Sequence, residues 1–312
     1  MPVGYMVNKV YIFTRVVGCT MSSIEQKREQ KKFQQIMIAL ISIIAIFSIL
    51  GSGCIQSQKG FPIVVVGRDS ASGSREFFWE YVMKKENFSV FYLEKNSNGG
   101  IYQSVTQTPG AIGYVGLGYV DNGVKALTIN NITANPANVL SGTYPIARNL
   151  YVFTKGNATG VAKEFITFIQ STEGQAIVQK EGFVPVPTNQ TYNSTGKSLS
   201  GILSISGSTT VFPILEKAKE TFMILYPGLQ ITVSSTGSGA GITAVGAGTV
   251  DIGMSSRDLK SSESNLGLVK YTIASDAIVL IVNPENTYVD NLSLAQIKAI
   301  YEGQITNWNE FS

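Results

Sequence analysis

Apolar and polar positions along this chain predict strands that lead through polar turns into helices. An apolar, β-branched strand at 63–66 precedes a polar turn and a helical pattern at 76–85. After the polar stretch 188–199, which we interpret as a linker, the pattern restarts with a strand at 202–207 and a helix at 211–226. Strands that are apolar throughout and alternate with helices indicate an α/β fold with mostly parallel sheets.

The same alternation predicts further elements in both blocks of the chain. Other predicted strands lie at 108–116 (a turn into a strand), 150–154, 229–234 and 276–282. Other predicted helices lie at 99–105, 162–170, 173–180, 241–247 and 294–301. We therefore expect an N-terminal extension at 1–54, a first block at 60–187, the linker at 188–199 and a second block at 200–312.

The N-terminal extension is typical of an export signal. Basic residues between 27 and 32 precede an apolar run at 36–50, and small residues follow it up to Cys54. These small residues resemble a lipobox, although Gly51 is unusual in one, so Cys54 would become the lipidated first residue. An uncleaved N-terminal anchor is the alternative. Either interpretation places the remaining chain outside the cytoplasm. Met21 is a possible alternative start.

The composition excludes several classes of function. Charged residues make up 14% of the chain and the net charge is +3, too small to argue for a nucleic-acid partner. The chain contains no histidine, which removes Ser–His and Cys–His catalysis and histidine-ligated metal sites. The two cysteines, Cys19 and Cys54, both precede the predicted folded part, so we expect no disulfide. We expect no cofactor and no metal.

Three stretches rich in Ser, Thr and Gly lead from a strand into a helix, at 67–75, 203–213 and 234–241. Such turns present backbone N–H groups and hydroxyls, and a helix N-terminus adds a partial positive charge. Any one cluster alone is ordinary turn and N-cap chemistry. Three together favour a binding site for an anion of phosphate size.

Seven short motifs add a family resemblance. They are Arg68 with Ser72-Gly73-Ser74-Arg75, Gly110-Ala111-Ile112-Gly113-Tyr114, Glu173-Gly174-Gln175-Ala176, Gly207-Ser208-Thr209-Thr210, Gly237-Ser238-Gly239-Ala240-Gly241, Asp251-Ile252-Gly253-Met254-Ser255-Ser256-Arg257 and Ile305-Thr306-Asn307-Trp308. Together they resemble the phosphate-binding receptor of the phosphate ABC transporter, the PstS family. The resemblance implies a two-lobed type II periplasmic-binding-protein fold.

The order of the two blocks differs from the family's order. Residues 200–312 resemble the family's first half and residues 60–187 its second half. A circular permutation accounts for this, with 60–312 forming one two-lobed domain whose new termini lie close together. A misjoined or truncated piece of a tandem gene is the alternative. In the permuted form, the chain would cross between lobes at 144–151 and 272–279.

The resemblance also implies which residues bind the ligand. Thr209, Thr210 and Ser238 would donate hydroxyls to phosphate oxygens, and Arg68 would make a charge-assisted contact. The full implied set is Arg68, Ser72, Gly73, Ser74, Ser208, Thr209, Thr210, Ser238 and Ser256. Ser256 stands where some family members have an aspartate that accepts the ligand's proton. We expect Asp69 to orient Arg68, and Arg257 either to serve the site or to form a structural ion pair.

We therefore predict an extracytoplasmic substrate-binding protein that captures inorganic phosphate and delivers it to the permease and ATPase of an ABC importer. The alternatives are a sensory or adhesive surface lipoprotein, or a binder of another tetrahedral oxyanion such as sulfate. An enzyme with Ser72 or Ser238 as nucleophile is not favoured, because the chain lacks a G-x-S-x-G elbow and a histidine base.

Overall fold

Residues 61–311 are the part of the chain that the computed structural model describes. The strands are β1 (Val64–Arg68), β2 (Leu93–Lys95), β3 (Ala111–Gly116), β4 (Lys125–Ala126), β5 (Thr128–Ile129), β6 (Ala147–Lys155), β7 (Ser200–Gly207), β8 (Gly228–Ser235), β9 (Ile252–Ser255), β10 (Leu268–Val282) and β11 (Asn291–Leu292). The helices are α1 (Gly73–Tyr81), α2 (Asn98–Gln107), α3 (Pro136–Leu140), α4 (Gly160–Gln170), α5 (Thr172–Lys180), α6 (Phe212–Leu225), α7 (Ser238–Ala247) and α8 (Leu294–Glu302).

The predicted export signal at 1–54, with Cys54, lies outside the described residues. Within 61–311, no helix is both long enough and apolar enough to cross a membrane.

A nine-stranded sheet organises the fold. Its order is β2-β1-β3-β10-β6-β9-β7-β8, and β4 pairs with β10. β1 is parallel to β2 and β3, and β7 is parallel to β8 and β9. In the middle, β10 and β6 run antiparallel to each other and to their outer neighbours β3 and β9. The α/β class is confirmed, and the strands within each outer group are parallel. The sheet as a whole is mixed and not mostly parallel, because the pairings of β10 with β3, β4 and β6 and of β6 with β9 are antiparallel.

Hydrophobic cores cover the two halves of this sheet, and we name the halves lobe one and lobe two. Lobe one contains β1–β3, α1, α2 and α8 around one core. Lobe two contains β7–β9 and α4–α7, with a core on each face of the sheet. Along β6, Leu150 and Val152 face the larger of these two cores while Tyr151 and Phe153 face the smaller. The alternation follows from the two-residue period of a strand.

β6 and β10 carry the chain between the lobes, close to the predicted crossings. In β10, Ile273 and Ala274 belong to the core of lobe two, whereas residues 277–282 belong to the core of lobe one. The predicted strand covered only 276–282, but β10 begins at Leu268. Its first half carries polar residues such as Lys270 and is only partly buried, so it lacks a continuous apolar run.

The first helix also begins earlier than its predicted start at residue 76. The hydroxyl oxygen of Ser72 accepts a hydrogen bond from the backbone N–H of Arg75, and this cap starts α1 at Gly73. The helix ends at Tyr81, and Lys84 and Lys85 then adopt φ angles of 54° and 68°. This left-handed backbone cannot continue a helix, so the helix ends before residue 85, the predicted end.

The first and last described segments pair with each other in lobe one. The N–H of Ile63 donates to the carbonyl of Thr306, and the N–H of Trp308 donates to the carbonyl of Phe61, both at 2.9 Å. The Trp308 ring is fully buried, and its Nε1 donates to the carbonyl of Gly110 at 2.9 Å. The segment around Trp308 thus completes the lobe that contains β1.

The segment 188–199 contains no helix or strand, yet it is held against lobe two. The N–H of Thr172 donates to the carbonyl of Gln190 at 2.8 Å. The Tyr192 hydroxyl lies 3.1 Å from a carboxylate oxygen of Glu164 and 2.9 Å from the Tyr226 hydroxyl. This segment therefore connects α5 to β7 across the surface of lobe two.

We expect Trp308→Ala to lower the free energy of unfolding by about 3–5 kcal/mol, because it leaves a large cavity and removes one of the two hydrogen bonds that the Gly110 carbonyl accepts. Ile224→Ala is the control, since Ile224 is 79% exposed and its loss should cost less than about 0.5 kcal/mol. Urea unfolding of both variants measures the difference. Equal stability of the Trp308 variant and the wild type would contradict the role of this segment in completing lobe one.

Candidate anion-binding site

Four helix N-termini meet between the lobes, those of α1, α2, α6 and α7. The hydroxyls of Ser74 in α1 and Thr210 before α6 lie 3.2 Å apart. Asn98 at the start of α2 donates from Nδ2 to the same Thr210 oxygen at 3.0 Å. The N–H of Gly239 in α7 donates to the carbonyl of Ala71 at 3.1 Å. Each helix N-terminus carries a partial positive charge, so their convergence favours an anion.

Glycine allows two of the polar turns to come together. Gly207 ends β7 with φ 140°, and a Cβ there would lie 2.2 Å from the carbonyl oxygen of Met254. The Gly207 carbonyl accepts the N–H groups of Thr236 and Gly237, both at 2.8 Å. A side chain at this position would collide with the backbone of β9, which pairs with β7 there.

Arg68 ends β1 and is 1% exposed. Its Nη1 donates to the Thr209 hydroxyl oxygen at 2.6 Å, which joins lobe one to lobe two. Its Nε and Nη2 donate to the carbonyls of Lys95 and Asn96 at 3.2 and 2.9 Å. These carbonyls orient the guanidinium, whereas Asp69 lies 3.9 Å from Nη2 without a hydrogen bond. The ion pair with Asp69 is thus longer than the hydrogen bonds to these carbonyls, and a role of Asp69 in orienting Arg68 stays a prediction.

Two tyrosines hold the backbone of Arg68. The Tyr114 hydroxyl accepts the Arg68 N–H at 3.2 Å, and the Tyr92 hydroxyl donates to the Arg68 carbonyl at 2.9 Å. The two hydroxyls lie 3.0 Å apart. Burial lowers the pKa of Arg68, but the ordinary value is so high that the guanidinium stays charged. Tyr114 lies within a family motif, whereas nothing in the sequence indicated Tyr92.

Arg148 is a second buried cation that sequence reasoning missed. From β6, its Nη2 donates to the Ser74 hydroxyl at 2.9 Å, and its Nη1 donates to the Ser256 carbonyl at 3.1 Å. Its Nε and Nη2 donate to Asp276 Oδ2 at 3.0 and 2.8 Å. The sequence signal that could have indicated this residue is the position of two charges, Arg148 and Asp276, inside largely apolar parts of the crossing strands.

Asp276 is fully buried and already has partners for both of its oxygens. Oδ2 accepts from Arg148, and Oδ1 accepts the backbone N–H of Leu117 at 2.9 Å. Burial raises the pKa of this carboxyl, and the charge of Arg148 opposes that rise.

The predicted residues of the α1 and α7 turns lie against each other. The Ser238 hydroxyl oxygen accepts the N–H of Ser256 at 3.1 Å, and the two hydroxyls lie 3.3 Å apart. A Cβ on Gly73 would lie 2.4 Å from the Ser238 hydroxyl, so only glycine allows this approach. Ser72 caps α1, and Ser208 caps the turn before α6 by accepting the N–H of Thr210 at 3.2 Å.

The structure thus brings all nine predicted site residues into one buried region, and none of their polar side chains belongs to a residue more than 3% exposed. The region contains Arg68, Ser72, Gly73, Ser74, Ser208, Thr209, Thr210, Ser238 and Ser256. Their contact with a ligand stays a prediction. The sequence left two roles open for Arg257, which forms an ion pair through two 2.7 Å bonds to Glu263.

Comparison with known proteins adds a family assignment. A profile described as a PBP superfamily domain matches residues 30–173 and 188–312. The phosphate-binding protein PstS 2 of Streptococcus agalactiae is 33% identical over 291 residues, which cover 88% of this chain and 98% of that protein. PstS 2 of Streptococcus pneumoniae is 36% identical over 263 residues, which cover 82% and 89%. A crystal structure of a phosphate-binding protein of a phosphate ABC transporter from S. pneumoniae has a TM-score of 0.66 at 35% identity, covering 80% of this chain and all of that one.

The extent of these matches bears on the chain order. PstS of Bacillus subtilis is 37% identical over only 130 residues, which cover 41% of this chain and 43% of that protein. Sequential alignment of two chains with rotated orders can match only one half, whereas a shared order permits a match over the full length. The streptococcal relatives are matched over most of their own length, so they share the order of segments found here.

The fold class, the profile and the streptococcal relatives agree with one another. The profile covers well over half of the chain, and relatives above 30% identity are matched over more than four fifths of it. The chain belongs to the PstS family of phosphate-binding proteins, within the PBP superfamily.

Proposed function

We propose that this protein captures inorganic phosphate between its lobes and delivers it to the permease and ATPase of an ABC importer. The bond between buried Arg68 and Thr209, which joins one lobe to the other among four helix N-termini, is the observation that carries the proposal. The names of the streptococcal relatives and their high coverage support phosphate as the ligand.

An anion between the lobes would accept hydrogen bonds from donors that now bond from one lobe to the other. Arg68 would donate to it from lobe one, and Thr209 and Ser238 would donate from lobe two. Because a buried donor left unpaired costs about 1–3 kcal/mol, an ion must satisfy many donors at once to bind well. Small tetrahedral oxyanions meet this requirement, and closure of the lobes around the ion follows from the contacts that it makes to both sides.

We propose binding without hydrolysis. The Ser72 oxygen accepts the N–H of Arg75, and the Ser238 oxygen accepts the N–H of Ser256. Neither hydroxyl has a hydrogen bond to a carboxylate or an amine within residues 61–311, so neither is placed like an activated nucleophile. An assay for phosphate-ester hydrolysis is the matching negative test.

Phosphate should bind the purified protein and raise its melting temperature. A concentration of 100 times the dissociation constant should add about 2.7 kcal/mol of stability by mass action. Calorimetric titration with phosphate, sulfate and arsenate, together with thermal melts, measures both effects. A protein whose melting does not change with any of these oxyanions would contradict the proposed function.

Arg68→Ala should weaken phosphate binding by about 2–4 kcal/mol, because a desolvated charge contact is lost. Arg75→Ala is the matched control, since Arg75 is partly exposed and lies over the Phe88 ring near Glu94. Calorimetry on both variants separates a site effect from a general loss of positive charge. An Arg68 variant that is folded and binds phosphate as tightly as the wild type does would refute this role.

We also propose that Cys54 is lipidated and holds the protein at the outer face of the cytoplasmic membrane. Intact-mass analysis of the membrane fraction should find residues 1–53 absent and a lipid on Cys54. Cys54→Ala should abolish the lipid mass, while Cys19→Ala should leave it unchanged. A native protein that retains residues 1–53 would instead support an uncleaved N-terminal anchor.

A further inference from the structure

Asn98 is a buried polar residue at the centre of the site that the sequence did not indicate. It is the first residue of α2 and is 0% exposed. Its Nδ2 donates to the hydroxyl oxygens of Thr209 and Thr210 at 3.1 and 3.0 Å. Its Oδ1 is buried and has no hydrogen-bond partner within the described part of the chain. An unpaired acceptor in this position is costly unless a ligand satisfies it.

The Asn98 amide directs its Nδ2 at the two threonine hydroxyls. An arginine side chain only donates, so the Thr209 oxygen accepts from Arg68 Nη1 and also from Asn98 Nδ2. These two bonds occupy both lone pairs of the hydroxyl, and its proton remains available to an acceptor. With Nδ2 engaged by the threonines, Oδ1 is the remaining hydrogen-bonding atom of the Asn98 side chain.

An acceptor has a specific use among so many donors. At neutral pH inorganic phosphate carries at least one P–O–H group, which needs an acceptor when it is buried, whereas sulfate carries none. An unprotonated oxygen placed against Asn98 Oδ1 would bring two acceptors together without a proton between them. The site would therefore bind phosphate better than sulfate.

The two carboxylates in the region are less suited to accept a hydrogen bond from the ligand. Both oxygens of Asp276 already accept hydrogen bonds, from Arg148 and from the N–H of Leu117. Asp69 Oδ1 is also buried without a hydrogen-bond partner in the described residues, but the Asp69 side chain is 31% exposed and lies 3.9 Å from Nη2 of Arg68, whereas Thr209 is bonded to Nη1. Asp69 thus lies beside Nη2, the guanidinium nitrogen that also donates to the Asn96 carbonyl.

We propose that Asn98 is a ligand-binding residue whose Oδ1 accepts the hydrogen bond from the protonated oxygen of phosphate, which makes it a determinant of selectivity against sulfate. This inference rests on the proposed function, because it assigns a role within the same anion site.

The test measures phosphate and sulfate binding by calorimetry for the wild type, Asn98→Leu and Asn98→Asp. Asn98→Leu removes the acceptor at similar volume, so phosphate affinity should fall about tenfold and the phosphate-to-sulfate ratio should fall with it. Asn98→Asp keeps an acceptor and adds negative charge, so sulfate affinity should fall more than about tenfold and the ratio should rise.

Asn286 provides the matched control. It is 1% exposed, and its Nδ2 is also buried without a partner in the described residues, but its Oδ1 accepts the N–H of Tyr288 in lobe one. Asn286→Leu and Asn286→Asp should leave the phosphate-to-sulfate ratio unchanged. Thermal melts of all variants identify any that fail to fold, and the near-isosteric Asp variant keeps the test decisive if the Leu variant does not fold.

Several outcomes would overturn the inference. A wild type that binds phosphate, with Asn98 variants that keep its phosphate-to-sulfate ratio, would defeat the role of Asn98 while leaving the proposed function intact. Loss of the ratio in Asp69→Asn alone would assign the acceptor to Asp69 instead. A wild type that binds neither anion would defeat the proposed function and this inference together.

Discussion

Arg148 and Asp276 face each other on β6 and β10, the two strands that pass between the lobes. Their side chains form a buried ion pair at 2.8 Å, and Arg148 also donates to Ser74 of lobe one and to the Ser256 carbonyl of lobe two. Burying two charges is costly, so such a pair is retained only where additional hydrogen bonds satisfy both groups. Here those bonds connect both lobes to the crossing strands, and the relative position of the site's two sides depends on them.

This constraint shapes the electrostatics of the site. Arg148 is neutralised by Asp276, whereas Arg68 is held mainly by carbonyl oxygens and by Thr209. The converging helix N-termini add positive potential without a mobile counter-charge. An anion between the lobes would therefore meet one incompletely compensated guanidinium and many neutral donors. Such a site gains binding energy from hydrogen-bond geometry as much as from net charge, which agrees with the small net charge of +3.

Core burial depends on which elements meet and not on the order in which the chain makes them. The segment around Trp308 pairs with Phe61 and Ile63, so the first and last described segments are held together by hydrogen bonds and packing. The segment 188–199 connects α5 to β7, and the entropic cost of closing such a loop grows only with the logarithm of its length. The limits of the two blocks stay predictions, but the pairing of the ends explains how a single chain can form both lobes.

The sequence by itself determined the α/β class, the strand–turn–helix units and the clustering of hydroxyls in turns, because periodicity, glycine and N-cap chemistry are local properties. It also indicated Arg68, Thr209 and Ser238 through motifs of a known family. Only the tertiary structure decided that Arg148 and Asn98 join them, since each is separated from its partners by tens of residues and the local sequence does not indicate those partners. It also decided that the Arg68 guanidinium donates to the carbonyls of Lys95 and Asn96. A contact between distant segments depends on how strands pair and lobes meet, and this is a property of the whole fold.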